Sequence, residues 1–92
     1  MMAFFQAMPV VIEAEQFTDE NKNRVFHFIT CTREASRDHQ GNPVLLIQTL
    51  EGVMTCRIGD WVVKGLKGEF WPVKPDIFAV KYKAIDQDQE AA

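Results

Sequence analysis

The stretch that decides the fold runs from residue 54 to residue 73 and reads MTCRIGDWVVKGLKGEFWPV. Apolar Met54, Cys56 and Ile58 alternate with polar residues, which is typical of a half-buried β-strand. Glycine lies at each corner of the stretch, where backbone angles closed to other residues are needed. Short strands joined by glycine turns favour a strongly bent antiparallel sheet or a partly open small β-barrel over a flat sheet.

The sequence before this stretch supplies a strand, a helix and a further strand. Residues 9–17 alternate with period two, which predicts the first strand. Thr18 and the two acidic residues after it predict the start of a helix over residues 19–32. Residues 33–42 are charged and polar and predict a surface loop, and residues 44–49 form an apolar run that predicts another strand.

The sequence after this stretch closes the domain. Pro75 predicts the end of the preceding strand, because proline has no N–H to donate to a sheet ladder. Ile77 is expected to begin a single helical turn, and the alternation of Val80, Tyr82 and Ala84 predicts a last strand. We therefore predict an α+β fold with about five to six strands and one covering α-helix.

Ninety-two residues, 47% of them apolar, are enough for one compact domain, which we expect to span residues 1–92. Residues 1–8 form an apolar N-terminal arm without the basic flank or apolar run of a signal peptide, and residues 86–92 form an acidic tail that we expect to fray. No stretch is apolar enough to predict a membrane span, so we expect a cytoplasmic protein. The arm, with Phe4 and Phe5, and the free sheet edges predict a homodimer formed by strand addition.

The net charge of −3 is spread unevenly along the chain. Residues 57–83 carry six basic and three acidic groups, whereas residues 1–56 carry four basic and seven acidic groups. Such asymmetry can mark a binding face, although lysines that alternate along an exposed strand produce the same count without a function.

The segment from Gly59 to Tyr82 resembles a group of small phage and prophage proteins named for a Pro-Gly-Asp-Tyr-Gly motif. In that group a Gly-Asp-aromatic strand is followed by Gly-x-x-Gly-Glu, an aromatic-Pro pair and a final Asp/Glu-x-Phe-x-x-x-Tyr. This chain departs from the name motif at Ile58, Trp61 and Val62. The resemblance implies a phage-related setting and no particular reaction. The matching residues are Gly59-Asp60-Trp61, Gly65 to Glu69, Trp71-Pro72, Asp76, Phe78 and Tyr82.

The aromatic residues of this segment have a structural and a functional interpretation. The structural one places Trp61, one of Phe70 and Trp71, Phe78 and Tyr82 in a single aromatic core, and it is favoured because buried aromatics dominate small cores. The functional one notes that Phe70 and Trp71 are adjacent in a strand and face opposite sides, so one of them is left beside lysines. An exposed aromatic among lysines can stack a nucleic-acid base or anchor a protein. The candidate binding residues are Trp61, Lys64, Lys67, Glu69, Trp71, Lys74 and Asp76.

The sequence gives only weak evidence for a catalytic or metal-binding site. Asp60 and Glu69 would meet if the hairpin brought them together, but two carboxylates alone do not make a hydrolase. Lys64 and Lys67 flank a glycine turn that could hold an anion, although the turn lacks the helix start of a phosphate loop. The two histidines and the two cysteines have no metal-ligand spacing, and both cysteines are interpreted as small core residues. We expect no cofactor, no metal and no catalytic residue.

Three functions remain. The first, which the sequence favours, is a non-enzymatic accessory protein, phage-derived, that binds a host or phage protein. The second is a nucleic-acid-binding small barrel that uses Trp71 or Phe70 with Lys64, Lys67 and Lys74, although the negative net charge argues against it. The third is a nucleotide or small-ligand binding protein that uses the concave side of the sheet.

Overall fold

The structure, a computed structural model, describes residues 2–4 and 10–85. Within these residues, six strands form two three-stranded antiparallel sheets, ordered β1-β5-β6 and β2-β3-β4. In chain order the elements are β1 (Glu13–Gln16), α1 (Lys22–Phe28), β2 (Arg33–Arg37), β3 (Pro43–Thr49), β4 (Gly52–Arg57), β5 (Trp61–Lys64), β6 (Phe70–Val73) and α2 (Pro75–Lys81).

The predicted α+β class is confirmed, and its detail is corrected. In place of a single bent sheet or partly open barrel with one helix, the described residues form two separate sheets and two short helices, and their strand pairs close no barrel. The frayed tail expected at residues 86–92 lies outside the described residues, as do residues 1 and 5–8 of the arm. Phe4, in the described part of the arm, is 92% exposed.

One buried core is shared by both sheets and by α1. Leu45 and Ile47 alternate along β3 and point into it, as the period of two along a strand requires. In β5 the adjacent Val62 and Val63 are both fully buried, so this central strand is covered on both faces. The core residues are Phe17, Val25, Ile29, Leu45, Ile47, Cys56, Val62 and Phe70.

The chain passes from one sheet to the other at the corner between β4 and β5. Gly59 takes a φ of +98°, which a residue with a side chain rarely adopts. Its N–H donates to the carbonyl of Phe17 at 2.7 Å, and the N–H of Phe17 donates to the carbonyl of Asp60 at 2.8 Å. These bonds tie the end of the first strand to the corner, and they hold Phe17 in the core.

The first helix is shorter than the predicted range of residues 19–32. The Asn21 side chain accepts a hydrogen bond from the N–H of Thr18 at 2.8 Å and donates one to the carbonyl of Gln16 at 2.7 Å. Residues 18–21 therefore form a non-helical turn, and the helix begins only at Lys22. The helix ends at Phe28, because Ile29 takes an extended backbone and its side chain is fully buried in the core. The predicted cap by Thr18 is wrong, because Asn21 is the residue that precedes the helix and no side chain of the described residues caps its first turn.

The predicted loop over residues 33–42 was wrong in its first half, which is strand β2. Every residue of β2 pairs with β3, from Arg33 opposite Ile47 to Arg37 opposite Pro43. The alternation of apolar residues is missing because β2 is an edge strand with little of its surface buried. Charged edge strands of this kind are common, since they discourage pairing with other chains.

The predicted last strand through Val80, Tyr82 and Ala84 was also wrong: residues 75–81 form helix α2, which begins before Ile77 and is longer than the single turn expected there, and residues 82–85 are not in a strand. Lys74 takes the extended backbone that a residue before proline prefers, and Pro75 occupies the first turn, where its missing N–H costs nothing. The region from Ile58 to Tyr82 therefore combines the two strands β5 and β6 with a helix.

Candidate functional site

The hairpin of β5 and β6 divides the predicted binding residues between its two ends. Trp61 is opposite Val73 at one end, and Lys64 is opposite Phe70 at the other. Glu69 and Trp71 lie towards the turn with Lys64 and Lys67, while Trp61, Lys74 and Asp76 lie at the open end. The seven residues therefore do not form one site.

A groove of about 310 Å³ lies between the β3–β4 turn and the start of β6. We call it the Trp71 groove. The β3–β4 turn closes on a hydrogen bond from the Thr49 hydroxyl to the carbonyl of Gly52 at 2.7 Å. This turn presents Leu50, 87% exposed, along one side of the groove. The lining residues are Thr49, Leu50, Glu51, Met54, Glu69, Phe70 and Trp71.

The structure decides which of the two adjacent aromatics enters the core. Phe70 is 1% exposed and packs edge to face against Phe28, with ring centroids 5.5 Å apart. Trp71 points the other way and is half-buried in the groove. Of the two, Trp71 is therefore the one that offers accessible surface to a partner.

The turn between β5 and β6 holds the carboxylate of Glu69. Its Oε1 accepts a hydrogen bond from the N–H of Lys67 at 3.0 Å. The turn is closed by the N–H of Gly65, which donates to the carbonyl of Glu69 at 2.8 Å. An external anion at this turn would have to displace the protein's own carboxylate, which argues against the anion site considered at Lys64 and Lys67.

The charge of the Trp71 groove is negative. Glu51 and Glu69 line it, and no lysine, arginine or histidine is among its lining residues within the described chain. Its remaining wall is mostly apolar, through Leu50, Met54 and Trp71. The groove therefore combines an apolar floor with an acidic rim.

A second aromatic cluster lies at the open end of the hairpin. The rings of Trp61 and Phe78 stack with centroids 4.1 Å apart, and the ring of Tyr82 stacks on Phe78 at 4.8 Å. All three side chains are half-buried and belong to the surface, whereas Phe70 belongs to the core. The prediction that these aromatics form one core with Phe70 or Trp71 was therefore wrong. They form two clusters, because α2 folds back onto β5.

Asp60 is a structural residue. It is 4% exposed, and its Oδ2 accepts a hydrogen bond from the N–H of Arg57 at 3.0 Å. Lys74 Nζ lies 3.5 Å from the same oxygen. Asp60 and Glu69 lie five residue steps apart along the hairpin, which is about 17 Å at the usual rise of a strand. The hairpin thus keeps the two carboxylates apart, and they do not form a catalytic pair.

Both cysteines are free thiols, and the structure places them differently. Cys56 belongs to the core, where burial and, secondly, the charge of Asp60 raise its pKa to about 12. A thiol with so high a pKa is protonated at neutral pH and is a poor nucleophile. Cys31 is half-buried and packs against the edge of the core.

Neither a metal cluster nor a membrane-spanning helix is found in residues 2–4 and 10–85. Those residues contain no group of three or more His, Cys, Asp or Glu side chains that could hold a metal ion. No helix in them is long and apolar enough to cross a membrane.

Sequence reasoning missed the half of the Trp71 groove that comes from the β3–β4 turn. The pattern around Leu50, Glu51 and Met54 predicts only a turn followed by a strand. The available signal was Leu50 itself, because a large apolar residue at the tip of a two-residue turn has no core to enter. Comparison with known protein families, with curated proteins and with solved structures finds no match to this chain.

Proposed function

We propose that this chain is a small non-enzymatic accessory protein that binds a partner protein through the Trp71 groove. The observation that carries the proposal is the exposed Leu50 beside the half-buried Trp71 in a groove with an acidic rim. Aromatic side chains in partly desolvated pockets supply much of the affinity of protein interfaces. A monomer gains nothing in stability from an apolar residue left in water at a turn tip.

The charge of the groove selects the kind of partner. Glu51 and Glu69 favour a segment that carries lysine or arginine, and the apolar floor favours an aliphatic or aromatic side chain next to that charge. The occupant is thus a basic, partly apolar segment of another protein. The resemblance to small phage proteins supports a host or phage protein as the partner, in the cytoplasm of the host cell.

The nucleic-acid alternative has less support. Base stacking by Phe70 would require a side chain that is 1% exposed, and stacking on Trp71 would bring phosphates towards Glu51 and Glu69. Lys74 is drawn towards the buried Asp60. Repulsion between phosphates and an acidic rim opposes this function.

The partner-binding proposal is tested by capture of a partner from host-cell lysate with three matched variants. Leu50→Gln and Glu51→Lys change exposed residues of the groove, and Val80→Gln changes a residue of α2 that is 86% exposed. We expect a partner that is retained by the natural chain and by Val80→Gln, and that is lost with both groove variants. Cross-links from the retained partner should fall on residues 49–54 and 69–71.

Two results would overturn the proposal. One is a partner held equally by the natural chain and by both groove variants, since the contact would then lie elsewhere. The other is retention of single-stranded DNA that falls with salt and with Lys64→Ala and Lys67→Ala, with no protein captured, since this is the signature of phosphate binding.

A further inference from the structure

A second and larger groove, of about 610 Å³, lies between helix α1 and strands β2 and β3. We call it the α1–β2 groove. Its volume is within the range of 300–1,000 Å³ that is usual for small-molecule sites. Lys22 and His27 line it from the helix, and Arg37 lines it from the edge strand. It shares no lining residue with the Trp71 groove.

The α1–β2 groove is basic in a half of the chain that is acidic overall. Among the described residues that line it there is no aspartate or glutamate, although residues 1–56 carry seven acidic groups and only four basic ones. The other two basic residues of this half do not line the groove, although Arg33 covers one face of the lining residue Phe26. Arg24 pairs with Glu15 at 3.0 Å, and Arg33 lies 4.1 Å from the centre of the Phe26 ring. The positive charge is therefore concentrated in the groove.

The basic side chains of the groove keep free capacity for an anion. Lys22 pairs with Asp19 at 3.0 Å, but the Asp19 side chain is 75% exposed, so the pair is weak and open to competition. Arg37 uses Nη1 to donate to the carbonyl of Gly41 at 2.8 Å, which leaves other N–H groups of the guanidinium. His27 Nδ1 contacts the carbonyl of Asn23 at 2.8 Å, which fixes the ring against the helix.

The rest of the groove suits the body of a ring compound. The half-buried Phe26 and Pro43 contribute apolar surface, and Ser36 and Asn23 contribute polar groups. Ligand sites commonly combine an apolar lining with a few convergent polar or charged groups. We propose that the α1–β2 groove binds a small free aromatic phosphate, with its phosphate towards Lys22 and Arg37 and its ring against Phe26 and Pro43.

The test follows backbone amide shifts by NMR as phenyl phosphate is added to the full chain, with phenol and inorganic phosphate in parallel. We expect localised shifts at Asn23, His27, Ser36 and Arg37. Phenol, which lacks the charge, and inorganic phosphate, which lacks the ring, should each bind about tenfold more weakly, which is 1.4 kcal/mol.

Variants separate this site from non-specific charge attraction. Lys22→Gln and Arg37→Gln should each weaken phenyl phosphate about tenfold, because a charge-assisted hydrogen bond is lost. Arg24→Gln removes a charge from the same helix outside the groove and should leave the affinity unchanged. Equal weakening by all three variants, or shifts spread over the whole surface, would overturn the proposal, as would the absence of shifts in the groove. The site is independent of the Trp71 groove, so partner capture should survive Lys22→Gln and Arg37→Gln.

Discussion

The indole ring of Trp61 lies flat on the ring of Phe78, with the two planes inclined by only 2° and the centroids 4.1 Å apart. Trp61 begins β5, and Phe78 is in α2, which has no buried residue of its own. The stack, continued by Tyr82, joins α2 to the sheet. Aromatic pairs of this kind are worth about 0.5–1.5 kcal/mol beyond the area that they bury.

Phe78→Ala is expected to release α2 and to leave the core folded, because the ring packs against Trp61 and Tyr82 and not against the core residues. Hydrogen exchange should show loss of amide protection in residues 78–82 while β3 stays protected. Val80→Ala is the control, since its side chain is 86% exposed on the same helix. Unchanged protection of residues 78–82 in Phe78→Ala would show that α2 is held by other contacts.

Asp60→Ala is expected to reduce the free energy of unfolding by about 1–3 kcal/mol, because the N–H of Arg57 loses its acceptor in a buried corner. Lys74→Met should cost less than about 1 kcal/mol, since the Lys74 side chain is 56% exposed and its ion pair is screened by water. Asp60→Asn keeps an acceptor oxygen and should behave like Lys74→Met. Urea unfolding measures all three, and a larger effect of Lys74→Met than of Asp60→Ala would contradict this account of the corner.

The Cys56 thiol is expected to make stability depend on pH in the alkaline range. Its pKa rises from 9.0 to about 12 on folding, through burial and then the charge of Asp60. Above pH 9 the unfolded chain releases this proton and the folded chain keeps it, so the stabilisation is complete below pH 9 and is lost as the pH rises towards 12. Unfolding free energies should therefore fall less steeply over this range in Cys56→Ala than in the natural chain. Parallel curves for the two proteins would contradict the prediction.

Gly65→Ala is expected to reshape the Trp71 groove. A methyl group at this position would overlap the carboxylate of Glu69 and would come within 2.8 Å of Cζ3 of Trp71. The Trp71 indole resonance should therefore move. Gly68→Ala is the matched control in the same turn: its φ of +84° strains the backbone by about 1 kcal/mol, but no atom of the described residues lies within 4 Å of the added methyl. Equal movement of the indole resonance in both variants would indicate general loosening of the turn.

Local pattern was a good guide wherever a residue's environment depends on its near neighbours. The strands around Cys56 and Val62 and the glycine corner at Gly59 were predicted because alternation and backbone freedom are local properties. Pattern failed at β2, whose pairing with β3 gives it strand structure without an apolar face. It failed again at α2, where Phe78 and Tyr82 fit the alternation of a strand and also the four-residue spacing of a helix.

The amino-acid sequence by itself determined an α+β chain with short strands, glycine corners and many aromatic residues. It could do so because hydrophobic periodicity and turn formation depend on residues that are close together in the chain. Tertiary structure decided the rest: Phe70 is buried and Trp71 faces a groove, and Leu50 and Lys22 each join residues far from them in the chain. The physical reason is that a groove is formed between elements. Its shape and charge depend on how two sheets pack, and packing is a property of contacts that no single segment contains.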